Sequence, residues 1–197
     1  MSKWHTLLSF VFAMGIAAGL TACSNDDEKK EVTTEKENTI ILSADGIGSI
    51  NASSSFNMHQ ITLAFSKYNV VEELNYHTGT PYPVIRVADG VKTIMTVIPD
   101  AAQQNIYSVI VEDNTITNSL GHHLGTPYKT VYAERAEQCQ AGAEDMLGKA
   151  LCYAPKTPNV IYIFNGKSGS SVEGKLPTDE DLQDWILESI IWRPKSK

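Results

Sequence analysis

Cysteine, proline, aromatic residues and positive charge are all scarce in this chain. Of 197 residues, three are Cys, eight are Pro, 16 are aromatic, and 16 Lys and Arg face 23 Asp and Glu. Each shortage removes a class of protein. Three cysteines cannot staple a disulfide-dense miniprotein. So little proline and glycine excludes a collagen, and 42% hydrophobic residues are too many for a disordered chain. A net charge of -7 argues against holding nucleic acid or anionic lipid by charge, which takes a basic surface. Long apolar runs are missing too, with one exception. Leu7 to Leu20 is nearly unbroken, yet shorter than the roughly 20 residues of a permanent membrane helix.

That run follows a short n-region, Met1 to His5 with Lys3, and closes on small residues, which is the pattern of a secretion signal. The closing tetrapeptide Leu20-Thr21-Ala22-Cys23 resembles the lipobox of bacterial lipoproteins, where diacylglycerol alkylates the cysteine thiol and the leader is cut just before it. Residues 1–22 are therefore expected to be a lipoprotein signal peptide, with Cys23 the lipidated residue. From Ser24 to Asn38 there are six acidic and three basic residues and a single large apolar side chain, Val32. Such a stretch cannot recover its ordering entropy by burial, so residues 23–38 read as a lipidated flexible tether. Each buried methylene of an acyl chain contributes about 0.8 kcal/mol, so several chains on one cysteine anchor firmly. By resemblance to sorted lipoproteins, Ser24 after the cysteine, rather than Asp, implies the periplasmic face of the outer membrane.

The compartment governs Cys139 and Cys152. In an oxidising periplasm two remaining thiols most simply form one disulfide, and closing a loop of this size stabilises by about 3 kcal/mol. A metal site would need further ligands nearby, and neither Cys-x-x-Cys nor a local histidine pair is present.

Residues 39–197 are then expected to form a single compact periplasmic α+β domain, mainly antiparallel sheet with two or three short helices. Ile47 to Ala52 reads as a strand. Ser53, Ser54 and Ser55 offer caps for a helix through Phe56, Gln60, Leu63 and Ala64, ending near Lys67. Val70 to His77, Tyr82 to Ala88, Val91 to Ile98 and Ile106 to Glu112 read as strands, with a type I′ hairpin turn at Asp89-Gly90. Short polar connections favour antiparallel neighbours. Thr126 and Pro127 announce a second helix, with Tyr128, Val131 and Tyr132 on one face. Lys149 to Ala154 and Asn159 to Phe164 form a strand pair around Pro155 to Pro158, and a flexible glycine-rich stretch runs from Asn165 to Gly174. Thr178 and Asp181 stand in a capping-box relation. Trp185 to Arg193 closes the chain as a strand.

Chemical motifs are thin. Gly166-Lys167-Ser168 lacks the upstream glycine of a phosphate loop, and Ser170 and Ser171 are not in a Gly-x-Ser-x-Gly elbow. His122 and His123 are adjacent, so on a strand they point opposite ways, and His59 and His77 are remote. Asp179, Glu180 and Asp181 suit a positive helix end rather than acid–base work. Trp185 and Trp192 are read as core anchors, the alternative being a patch that contacts a ligand or partner. No catalytic residue, metal site or cofactor is assigned.

Several pieces together resemble the RpoE-regulated lipoprotein family, a family with a domain of unknown function. They are Gly46-Ile47-Gly48-Ser49-Ile50, Asp113 to Ile116, Gly125-Thr126-Pro127-Tyr128 with Tyr132, Cys139 and Cys152. The most specific is Leu176 to Trp185 followed by Ile190-Ile191-Trp192-Arg193. The resemblance implies a lipid anchor at Cys23, membership of a sigma-E envelope-stress response, and a compact periplasmic domain. The expected function is a non-enzymatic envelope accessory or binding module, held to the membrane by its anchor and meeting an envelope protein but no nucleic acid. The competing readings are a hydrolase acting on a cell-wall or lipid component, and a structural protein packing against an envelope complex.

Overall fold

A computed structural model describes residues 39–133, 138–166 and 174–195. The expected signal peptide, Cys23, the tether and residues 167–173, which include Ser168, Ser170 and Ser171, lie outside the described residues.

The chain opens with three short strands, β1 (Ile40–Ser43), β2 (Gly46–Ile47) and β3 (Ile50–Asn51), and a two-turn helix α1 (Met58–Ala64). Four longer strands follow: β4 (Asn69–His77), β5 (Thr80–Asp89), β6 (Lys92–Pro99) and β7 (Ile106–Val111). Next come β8 (Ile116–Asn118), the single turn α2 (Tyr128–Val131), and β9 (Cys139–Ala141) with a 3-10 turn at Glu144–Met146. The chain ends with β10 (Ala150–Ala154), β11 (Thr157–Asn165), the turn α3 (Asp179–Leu182) and β12 (Ile186–Trp192).

These strands build two sheets. The larger has the order β4-β5-β6-β7-β12-β11-β10-β9 and every pairing in it is antiparallel. The smaller has the order β3-β2-β1-β8, and its β1–β8 pair is parallel, with Leu42 beside Asn118. The expected α+β class is therefore corrected to a mostly β protein, strand taking 49% and helix 12% of the described residues. The helices fail to form a layer because each is one or two turns long and buries one side chain: Ile61, Tyr128 and Leu182. The core is made by strand faces instead.

Alternation along the strands shows how. In β11, Val160, Tyr162 and Phe164 join the main core with Leu42 and Ile47 of the small sheet and Trp192 of β12. The intervening Ile161 and Ile163 face the other side of the large sheet, where Ile191, Ile110, Leu151 and Met146 form a second, smaller cluster. A strand apolar on both faces reads as a continuous hydrophobic run, which is why Val160 to Phe164 lacks the two-residue period.

Several local expectations change in detail. The run Ile47 to Ala52 is two two-residue strands folded on a turn, and Gly46 is required there, since a Cβ would sit 1.9 Å from the Ile50 carbonyl oxygen. The helix α1 is capped not by the three serines but by Asn57, whose Oδ1 accepts from the Gln60 N–H at 3.0 Å. The β5–β6 turn has Gly90-Val91 as its central pair, and only Gly90 has a positive φ, which excludes type I′. Type I′ dihedral signs occur instead at Thr78-Gly79, φ 47° and 81°, between β4 and β5.

Candidate functional site

The densest polar chemistry lies where the two sheets meet. Asn118 ends β8 of the small sheet and Tyr162 sits in the middle of β11. Asn118 Nδ2 donates to the Tyr162 hydroxyl oxygen at 2.7 Å, and His122 Nδ1 lies 3.0 Å from the same oxygen. Asn118 Oδ1 in turn accepts the Leu120 N–H, which folds the loop after β8 back onto the cluster. With one proton on the phenol and two on the amide nitrogen, the network assigns Tyr162 O–H as donor to His122 Nδ1, leaving the imidazole proton on Nε2.

Electrostatics support this assignment. Burial pushes the Tyr162 phenol up to about 12, against a smaller downward pull from Asn118. Burial, together with the charge of neighbouring His123, holds His122 below its ordinary value. The Asn118, Tyr162 and His122 side chains thus fasten β8 and the loop after it to β11, joining the two sheets.

Beside this cluster the aromatic rings of Tyr128, Tyr132 and Phe164 pack edge-on or tilted, Tyr128 lying 4.9 Å from Tyr132 and 5.1 Å from Phe164 between centroids. The Tyr132 hydroxyl donates to the Tyr153 carbonyl at 2.6 Å, and burial raises its phenol well above the usual value. The expected helix cap is different here. Pro127 takes the cap position without a side-chain bond, and the Thr126 hydroxyl accepts from His123 N–H, which braces the loop that presents His122.

Cys139 and Cys152 are directly opposite each other on β9 and β10, 4.1 Å apart at Cα, and are joined as a disulfide. The segment between them is a hairpin rather than a wandering loop. Gly142 makes it possible, because a Cβ there would stand 1.9 Å from the Met146 carbonyl oxygen.

The other singled-out residues do not converge. Trp185 and Trp192 are 2% and 0% exposed, so both are core and neither offers a ring to solvent. Trp192 Nε1 donates to the Ala44 carbonyl at 3.3 Å, while Trp185 Nε1 is buried without a partner beside Gly166. His123 Nδ1 faces the Leu124 carbonyl, and His77 lies 3.6 Å from Glu144. Thr178 caps α3 as expected, its hydroxyl oxygen accepting from Asp181 N–H at 3.2 Å, while the Asp181 carboxylate accepts from the Thr178 hydroxyl, rather than from its backbone N–H, at 2.8 Å. Among the described residues, no group of three His, Cys, Asp or Glu side chains could hold a metal ion.

One feature went unread in the sequence. On the second face of the large sheet two hollows, of about 180 and 320 Å³, share Tyr153, Ile161 and Arg193. Arg193 has its guanidinium 5.4 Å from the Tyr107 ring centroid. The alternation Trp192-in, Arg193-out at the end of β12 is the signal that could have found it.

The family model described as "Protein of unknown function (DUF1131)" matches residues 35–194. The chain belongs to this family. The DUF1131 match covers the described strands and helices from β1 to β12. "Uncharacterized protein YfeY" of Escherichia coli (strain K12) is 27% identical over 153 residues, spanning 77% of this chain and 78% of that protein. A crystal structure of yfeY from Escherichia coli shares the fold, with a TM-score of 0.66 and 25% identity over 79% of this chain and 99% of that one. The DUF1131 domain is thus the mostly β architecture described above.

Proposed function

We propose that this DUF1131 protein is a lipoprotein anchored through Cys23 to the periplasmic face of the outer membrane, acting as a non-enzymatic envelope accessory or binding module linked to envelope stress. The observation that carries the reading is Leu20-Thr21-Ala22-Cys23 behind a short apolar run, with an acidic linker after it. Two features fit the reading. A disulfide between Cys139 and Cys152 suits an oxidising compartment. The densest polar cluster, Asn118, Tyr162 and His122, lies at the junction of the two sheets and joins them, a structural use of those side chains.

The test is the anchor. Cys23→Ala should abolish acyl labelling and release the protein from membranes on fractionation. A variant that still sediments with the outer membrane and still takes up label would overturn the reading.

A further inference from the structure

The two hollows on the second face of the large sheet, about 180 and 320 Å³, share Tyr153, Ile161 and Arg193; Gln138 and Gln140 flank the first and Lys195 the second. Three properties of this lining restrict what it can hold.

Charge is the first. In a chain with 23 Asp and Glu against 16 Lys and Arg, no acid among the described residues lines either hollow, while Arg193 and Lys195 do. Lys195 is paired with Asp45 at 3.0 Å, but among the described residues no carboxylate lies within ion-pair distance of Arg193. The Arg193 guanidinium stands instead 5.4 Å from the Tyr107 ring centroid. Its backbone is fixed to Asn159 from both sides: Arg193 N–H donates to the Asn159 carbonyl at 2.9 Å, and Asn159 Nδ2 donates to the Arg193 carbonyl at 3.0 Å. A held guanidinium without an acid partner presents a planar fork that matches a carboxylate. A phosphate site would add backbone N–H groups from a nest or a helix end, and here the Arg193 N–H is already used.

Surface chemistry is the second. Ile161 is 6% exposed and lies at the bottom, and the Tyr153 ring beside it is 40% exposed, so the acid that fits carries an apolar body. Gln138 and Gln140 are both exposed and bring primary amides that donate and accept, which a peptide backbone uses and a hydrocarbon chain does not.

Length is the third. Tyr153 N–H donates to the Gln138 carbonyl at 3.2 Å, Tyr153 lies opposite Ile161, and Ile161 lies opposite Ile191, two residues before Arg193 on the same face. The row therefore crosses from β9 to β12, three strand spacings or about 14 Å, the length of about four extended residues.

We propose that this face binds the C-terminal end of another polypeptide chain. The terminal carboxylate sits on the Arg193 guanidinium, the last apolar side chain on Ile161 and Tyr153, and the preceding residues lead towards Gln138 and Gln140. A short free peptide fits less well, because no acid among the described lining residues would receive its ammonium group. The site rests on the binding-module reading and not on the anchor, so a protein that is acylated at Cys23 and binds no peptide would keep the anchor and lose only this site.

The probe is a pool of N-acetylated random tetrapeptides with free C-terminal carboxylates, passed over the immobilised full chain and identified by mass spectrometry. The same pool amidated at the C-terminus is the control. Acids ending in an apolar residue should be retained roughly tenfold or more over their amides. Arg193→Gln should lower that retention about tenfold and Tyr153→Ser several-fold, both with unchanged melting temperature. Lys67→Gln, beside a different hollow, should leave it as it is. Equal retention of acids and amides, retention of neither pool, or an equal loss in Lys67→Gln and Arg193→Gln would each overturn the proposal.

Discussion

At one edge of the large sheet the β4–β5 ribbon is held by its ladder, a tight turn at Thr78-Gly79, the exposed ion pair Glu73–Arg86 and an exposed contact from His77 to Glu144 of the β9–β10 hairpin. At the other edge the β9–β10 hairpin is shorter, yet it carries a disulfide, a close approach at Gly142 and the Tyr132–Tyr153 hydrogen bond. The longer element relies mainly on backbone and the shorter on side-chain fastenings. A hairpin with few apolar contacts needs a covalent or buried polar staple to stay native at its tip, and one without such a staple opens at low cost.

Removing the staple should have the largest effect. A Cys139→Ser, Cys152→Ser double variant is expected to lose about 3 kcal/mol in urea unfolding. Amide exchange in β9 and β10 should rise while β5 and β6 keep their protection. Unchanged exchange in β9 would show that packing, not the disulfide, holds that edge.

A middle effect comes from the far end of β5, away from the ribbon tip. Lys92, just after the β5–β6 turn, forms an ion pair with Asp113, a buried carboxylate that also accepts from Thr115 N–H at 2.9 Å and from the Thr115 hydroxyl. Burial alone would raise the Asp113 carboxyl, but the hydrogen bonds from Lys92 and Thr115, with the Lys92 charge, hold it at about 2 against an ordinary 3.8. The folded state favours the charged form, so this stability is fully present above pH 4 and is lost as pH falls from about 4 towards 2. It amounts to about 1–2 kcal/mol, solvent screening the exposed Lys92. Asp113→Asn should flatten that part of the stability-against-pH curve, and an unaltered curve would remove Asp113 from the account.

The smallest effect belongs to the ribbon tip. Gly79 has a φ of 81° with open space around its Cβ position, so Gly79→Ala meets only backbone strain. The expected cost is about 1 kcal/mol or less in thermal melting, with faster exchange confined to the tip. A global loss as large as that of the disulfide variant would mean that the ribbon is part of the core after all.

Legibility in the sequence followed the same division. The strands β4 to β7 and β10 to β12 showed as alternating or continuous apolar runs between turn residues, and short connections gave the antiparallel pairing of β4 to β7, whereas the place of β12 beside β7 and β11 had no such local cue. β1, β8 and β9 did not show, because strands of three or four residues have too little length for a period. β1 is also paired in parallel with β8 from far along the chain, a contact with no local trace. The cysteine pair was legible from the count of two remaining thiols and the compartment the leader sequence led us to expect. The Asn118–Tyr162–His122 cluster was not, since its members lie 40 or more residues from Tyr162 in sequence and only the packing of one sheet on the other brings them together. Ser53 to Ser55 misled because any serine can cap, while Ser55 instead bridges to Asn105 before β7 and the cap falls two residues later, on Asn57.

β12, the last strand to be made, lies in the middle of the large sheet, between β7 and β11. Until residues 186–192 arrive, β4 to β7 and β9 to β11 are two separate half-sheets, each with an open edge. Completion is then a single long-range insertion, the kind of step that makes β topologies slow to fold and exposed to mispairing on the way. The N-terminal and C-terminal halves of the large sheet are thus joined by the chain's own last strand, and the sheet is continuous only once the whole domain has been made.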